Sequence, residues 1–96
     1  VKLNSVVDQA YLTARANGFH DKKREFGTII SLIHSELSEC LEAHREGNWP
    51  GVKEEFADVI IRVADTCGAY NIDLESEVTK KMRYNKQRPH LHGKNY

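Results

Sequence analysis

The chain is poor in several things, and each shortage removes a class of protein. It has two cysteines, Cys40 and Cys67, and no Cys-x-x-Cys pair. That excludes a disulfide scaffold and a thiolate metal site. Both cysteines fall on apolar helical faces, the setting of buried free thiols in a reducing compartment. No apolar run approaches the roughly 18 residues of a membrane span, and no signal peptide is visible, so a cytoplasmic, membrane-free protein is expected. Charge of one sign is not in excess: 14 Lys and Arg stand against 14 Asp and Glu. No global field would draw the chain onto nucleic acid or an anionic membrane, and no nucleic-acid partner is expected. A glycine-rich phosphate loop is absent, as is the helix-borne Glu-x-x-His of di-iron bundles. His34 precedes Ser35 but lies on the opposite flank from Glu36, so no Ser-His pair is supported. Alternating apolar and polar residues, the mark of a half-buried strand, do not occur.

What is present is helical periodicity from end to end. A single domain over 1–96 is expected, all-α and four-helix bundle-like, with an irregular tail from about residue 88. The first helix is predicted over residues 5–17, striped by Val6, Val7, Ala10, Tyr11 and Ala14, with Asn4 or Ser5 as its cap and Gly18 at its exit. A polar connection, His20-Asp21-Lys22-Lys23-Arg24, follows. The second helix, residues 25–46, is the long one. Phe26, Ile29, Ile30, Ile33, Leu37, Cys40, Leu41 and His44 recur along it at three and four. Gly47 closes it, and Asn48-Trp49-Pro50-Gly51 reads as a break. The third helix, residues 52–70, carries Phe56, Val59, Ile60, Val63, Ala64, Cys67 and Tyr70, and Asn71 suits its exit. Asp73 caps a fourth helix over residues 74–87, with Glu75 and Glu77 near its positive end. Leu74, Val78, Lys81, Met82 and Asn85 share one of its sides, and Arg88-Pro89 stops it.

Four acids stand beside these apolar stripes, as Glu36-x-x-Glu39 and Glu55-x-x-Asp58. Unrolled at about 100° per residue, Glu36 and Glu39 lie roughly 80° and 140° from the centre of their stripe, and Glu55 and Asp58 roughly 90° and 150° from theirs, in the same sense. The short break makes the two helices antiparallel neighbours. Equal rotations on antiparallel helices fall on one side of the pair, so all four acids are expected on one groove wall. Carboxylates so gathered repel one another unless cations are bound. Oxygen ligands without His or Cys suit magnesium, or manganese in its place. Glu42, Glu46, Glu54 and Asp65 unroll to the solvent side and are given no role. Arg62 lies one turn beyond Asp58 on the same flank, placed either to contact phosphate or to neutralise the acids. Trp49 is read as a packing or interface residue, and His90-x-His92 as a tail without a metal.

Glu36-Leu37-Ser38-Glu39 and Glu55-Phe56-Ala57-Asp58 resemble the paired acid motif of the MazG-like nucleoside triphosphate pyrophosphohydrolases. So do the stretches around them: GFHDKKREFG, LIHSELSECLEAHREG, EEFADVIIRVAD, NIDLESEV and KKMRYNKQRPHLHGK. The resemblance covers nearly the whole chain. It implies a MazG fold and magnesium-dependent hydrolysis of nucleoside triphosphates, deoxynucleotides among them, between the α and β phosphates. The products would be a nucleoside monophosphate and pyrophosphate, in the service of nucleotide-pool cleansing or control. By the same resemblance Glu36, Glu39, Glu55 and Asp58 are the metal ligands. Glu36 or Glu39 would orient or deprotonate the attacking water, and Lys81 and Asn85 would lie near phosphate or sugar. His20 occupies a position where the family often has an aromatic that meets the base. Where relatives have a second acid before the first motif glutamate, this chain has Ser35. Two other readings stay open: phosphoribosyl-ATP pyrophosphohydrolase, within the same superfamily, and a non-catalytic helical interaction module with a regulatory divalent-cation site.

A homo-oligomer is expected as well. A chain this short buries only about 60–65% of its unfolded surface. Ile61 and Leu32 lie off their stripe centres yet are apolar. Small MazG-like relatives form dimers or tetramers, which the resemblance extends to this chain.

Overall fold

The computed structural model describes residues 2–89. The tail expected to be irregular, with His90 and His92, falls almost wholly outside them. Four helices and no strand make up the described residues: α1 (Leu3–Ala16), α2 (Phe26–Arg45), α3 (Trp49–Ala69) and α4 (Leu74–Lys86). None is long and apolar enough to cross a membrane. Packing runs in series, α2 on α3, α3 on α1, and α1 on α4, so α3 is central and α4 is held chiefly by α1.

The helix ends follow from backbone chemistry. After α1 the Gly18 amide bonds the Arg15 carbonyl and the Phe19 amide the Ala14 carbonyl. After α2 the Gly47 amide reaches His44 and Asn48 reaches Ala43. After α3 Asn71 bonds Gly68 and Ile72 bonds Cys67. These are three closures of the same kind, each turning on a left-handed residue: Gly18, Gly47 and Asn71, at φ 83°, 71° and 54°. Glycine meets that requirement at no steric cost, and asparagine tolerates it.

The helix starts depart from expectation in two places. Asn48-Trp49-Pro50-Gly51 is the first turn of α3 rather than a break before it. The Asn48 side chain accepts from the Gly51 amide at 3.0 Å, and Pro50, lacking an amide hydrogen, sits where none is needed. At α1 neither Asn4 nor Ser5 caps. The helix begins at Leu3, and Asn4 spends its side chain on α4. Its Nδ2 donates to Asp73 at 3.0 Å, and its Oδ1 accepts from the Glu75 amide at 3.2 Å. Glu75 returns the bond by accepting from the Asn4 amide at 3.3 Å. Each helix thus satisfies an orphan amide of the other. Asp73 also caps its own helix through the Ser76 amide, as expected.

The α2–α3 pair is antiparallel, as its register shows. Ala43 lies against Gly51, Cys40 Sγ is 3.8 Å from the Val52 carbonyl, and Glu36 meets Arg62. On the other face of α3, Tyr11 rests on Gly68 so closely that an added Cβ would lie 2.6 Å from that of Tyr11. The buried apolar residues are all small or medium: Val7, Cys40, Val52, Ala64 and Cys67.

On α2 and α3 only about half of the expected stripe is covered. Leu37, Leu41, Phe56 and Ile60 were expected to face one another across the α2–α3 pair, but they are 45%, 49%, 55% and 55% exposed. The close approach of the two helices uses the small-residue edge of the stripes, and the large side chains are left on its rim.

Replacing Asn4 by Ala should free the Glu75 amide and remove the bond to Asp73, while the backbone amide at position 4 keeps its acceptor. We expect a loss of about 1 kcal/mol, or about 4–8 °C in melting temperature, with hydrogen exchange rising at the start of α4 before any other helix. An unchanged melting temperature would mean that the clasp contributes nothing.

Candidate metal centre

α2 and α3 bring three of the four acids together. One carboxylate oxygen from each of Glu36, Glu39 and Glu55 lies within 4.8 Å of the others. The antiparallel register accounts for this, since Cys40 level with Val52 puts Glu39 and Glu36 alongside the next turn of α3. Asp58, one turn on, is not part of this trio. It lines an adjoining groove of about 510 Å³ together with Glu36, Arg62 and Asp65. A further wall of that groove is α1 with its C-cap, through Gln9, Thr13 and Asn17.

The trio is electrostatically unequal. Glu36, 12% exposed at its side chain, accepts a 2.8 Å hydrogen bond from Arg62 Nε. That guanidinium holds the Glu36 carboxyl below the usual range, against the effect of burial. Glu55 goes the other way and is pushed up to about 7. The largest cause is the neighbouring Glu39 carboxylate, with which a protonated Glu55 shares its hydrogen; burial and Glu36 add to it. Glu55 Oε2 is buried and has no hydrogen-bond partner. An oxygen in that position lacks a cation or a proton. Three carboxylates with no nitrogen or sulfur ligand fit a hard divalent ion.

The remaining site residues fall as follows. Arg62 joins the acids through Glu36, so of its two expected roles the neutralising one is seen. His20 does not stand free. Its Nε2 is 2.6 Å from Asp65 Oδ1 and its ring is 5.1 Å from that of Tyr11. Asp65, expected on the solvent side, is instead engaged by His20. Its side chain is 23% exposed, covered by the connection after α1, and it lines both large cavities of the described residues. The signal was in the spacing, because Asp58, Arg62 and Asp65 stand four and three apart on one flank of α3. Lys81 and Asn85 are exposed on α4 and line neither cavity; the Lys81 ammonium sits 4.8 Å from the centre of the Tyr84 ring. Trp49 is exposed and meets His44 edge-on at 5.3 Å, a packing contact as expected. Ile61, half-exposed as expected, lines the groove that holds Asp58, and Leu32 lines the other cavity bordered by Arg62. The basic connection Lys22-Lys23-Arg24, passed over as polar, lines the second cavity.

No family model, curated protein or solved structure matches the chain.

The raised Glu55 value has a definite sign in stability. Between about pH 4.5 and pH 7 the folded chain holds a proton that the unfolded chain has released, so stability is fully present below that window and is lost as pH rises through it. In metal-free buffer the melting temperature should fall across this range. The Glu55→Gln variant should remove that part of the fall, and magnesium should flatten it in the parent chain. Identical pH profiles for parent and variant would sink the assignment.

Proposed function

We propose that the chain is a magnesium-dependent nucleoside triphosphate pyrophosphohydrolase of the MazG-like kind, with manganese able to replace magnesium. The observation that carries this is the trio Glu36, Glu39 and Glu55 with its oxygens within 4.8 Å and Glu55 Oε2 buried without a partner. Asp58, in the adjoining groove, is proposed as the fourth ligand. The bound ion would polarise the α phosphoryl group and offset the charge of the triphosphate. The protein's own part is to hold and deprotonate water. Glu36 is tied to Arg62 and held low, which makes it a poor proton acceptor. Glu39, exposed and beside it, is proposed to take the water proton instead. As the water oxygen bonds to the α phosphorus, its proton passes to Glu39. The bond from the α phosphorus to the bridging oxygen breaks, and the electron pair leaves on pyrophosphate. The adjoining groove, polar along α1 and apolar at Ala10, Ala14 and Ile61, is of a size to hold a nucleoside.

A homo-oligomer belongs to this reading. Leu37 with Leu41, and Phe56 with Ile60, are exposed apolar pairs at helical spacing on the two helices that carry the acids. A second copy is the occupant that would cover them.

A panel of triphosphates, including phosphoribosyl-ATP, incubated with magnesium tests the activity. Monophosphate and pyrophosphate are expected, and release of orthophosphate alone would overturn the reading. Glu39→Gln and Asp58→Asn should each lower turnover about a hundredfold or more, while Glu42→Gln should not. Light scattering at micromolar concentration should give a dimer or larger, shifted toward monomer by Phe56→Glu; a fully active monomer would remove the oligomer from the account.

A further inference from the structure

Arg62 borders two cavities. One is the groove with Glu36 and Asp58. The other, about 420 Å³, is lined by Lys22, Lys23, Arg24 and Arg62 over aromatic and aliphatic side chains. Four cationic groups therefore ring one hollow. The one acid that lines it, Asp65, is already engaged with His20 at 2.6 Å. Arg24 is steadied by the Phe19 ring, 5.9 Å from its guanidinium carbon. In a chain whose charges balance overall, this is a local excess of positive charge immediately behind an excess of negative charge.

We propose that the basic hollow is an anion subsite that takes pyrophosphate, the outer two phosphoryl groups of the substrate as they leave. The inference rests on the hydrolase reading above. Cleavage between the α and β phosphates concentrates charge on the departing fragment, and in the acid-lined groove the one cationic side chain is Arg62. Arg62 supplies the junction. Its Nε is committed to Glu36, but a guanidinium carries five N–H donors in a fixed fork. It can hold a metal-ligand carboxylate and a phosphoryl oxygen at the same time. Lys22, Lys23 and Arg24, consecutive and exposed on the connection after α1, extend the positive charge away from the cleavage point. A nucleic acid would need such cations in a line that follows a backbone; these converge on a hollow instead, which suits a short, multiply charged anion.

The test is calorimetric titration of inorganic pyrophosphate and, separately, of a nucleoside monophosphate into the full chain with magnesium at low salt. The variant Lys22→Gln/Lys23→Gln/Arg24→Gln should bind pyrophosphate about ten- to a hundredfold more weakly, with monophosphate affinity within about twofold of the parent. Lys80→Gln, a cation removed elsewhere, should change neither. The charge-keeping variant Lys22→Arg/Lys23→Arg/Arg24→Lys should retain most of the pyrophosphate affinity. Pyrophosphate binding that is undetectable in the parent, unchanged in the glutamine variant, lost equally in the charge-keeping variant, or weakened in step with monophosphate would overturn the subsite. A chain that releases pyrophosphate from triphosphates yet binds it equally well without the three cations keeps the hydrolase reading and loses this one. A chain that hydrolyses no triphosphate loses the hydrolase reading, whatever the titration gives.

Discussion

The close approach of α2 and α3 is the constraint on which the rest of the molecule depends. It is set by small groups where the helices touch: Ala43 against Gly51, and the Cys40 thiol against the Val52 carbonyl. A Cβ on Gly51 would come within 3.3 Å of Ala43 and closer still to the capping Asn48. Larger side chains there would part the helices, and carboxylates on both would no longer share a space under 5 Å across. The same narrowness explains why Leu37, Leu41, Phe56 and Ile60 are not enclosed. Helices that nearly touch have no room between them for large side chains, so these stand at the seam's edge.

Gathering like charges is costly unless something offsets it. Here the offset is lopsided. Arg62 relieves Glu36 and leaves Glu55 to carry the strain, with one buried oxygen unsatisfied. A structural ion-pair network would be expected to match every acid with a base. The trio does not, and a proton or a cation would complete it. The bases that are available lie one cavity further on, around Lys22, Lys23 and Arg24.

Much of this was legible in the residue order. The four helices, three of their exits and the Asp73 cap follow from spacing and from Gly18, Gly47, Asn71 and Asp73. The convergence of Glu36, Glu39 and Glu55 follows from rotation sense on two antiparallel helices. What was not legible depends on a third partner. Asp65 unrolls to the solvent side when α3 is taken alone, and the fold-back of the connection after α1, bringing His20, covers it. Asn4 has the chemistry of a cap for its own helix, and nothing local reveals that the start of α4 lies nearer. The exposed half-stripes were hidden for a similar reason, because periodicity marks which residues avoid water, not which of them a single chain can cover.

The reciprocal clasp between Asn4 and Glu75 has a mechanical consequence. α4 is fastened near its first turn, by that clasp and by Leu74 at the edge of the core, and its later residues are exposed. A rod of 13 residues is about 20 Å long. Pivoting such a rod by about 20° at its base would sweep the tip through roughly 7 Å, more than one helical turn. Such a pivot would carry Lys81 and Asn85 with it, so stiffness at the Asn4 clasp would set how far those two side chains reach.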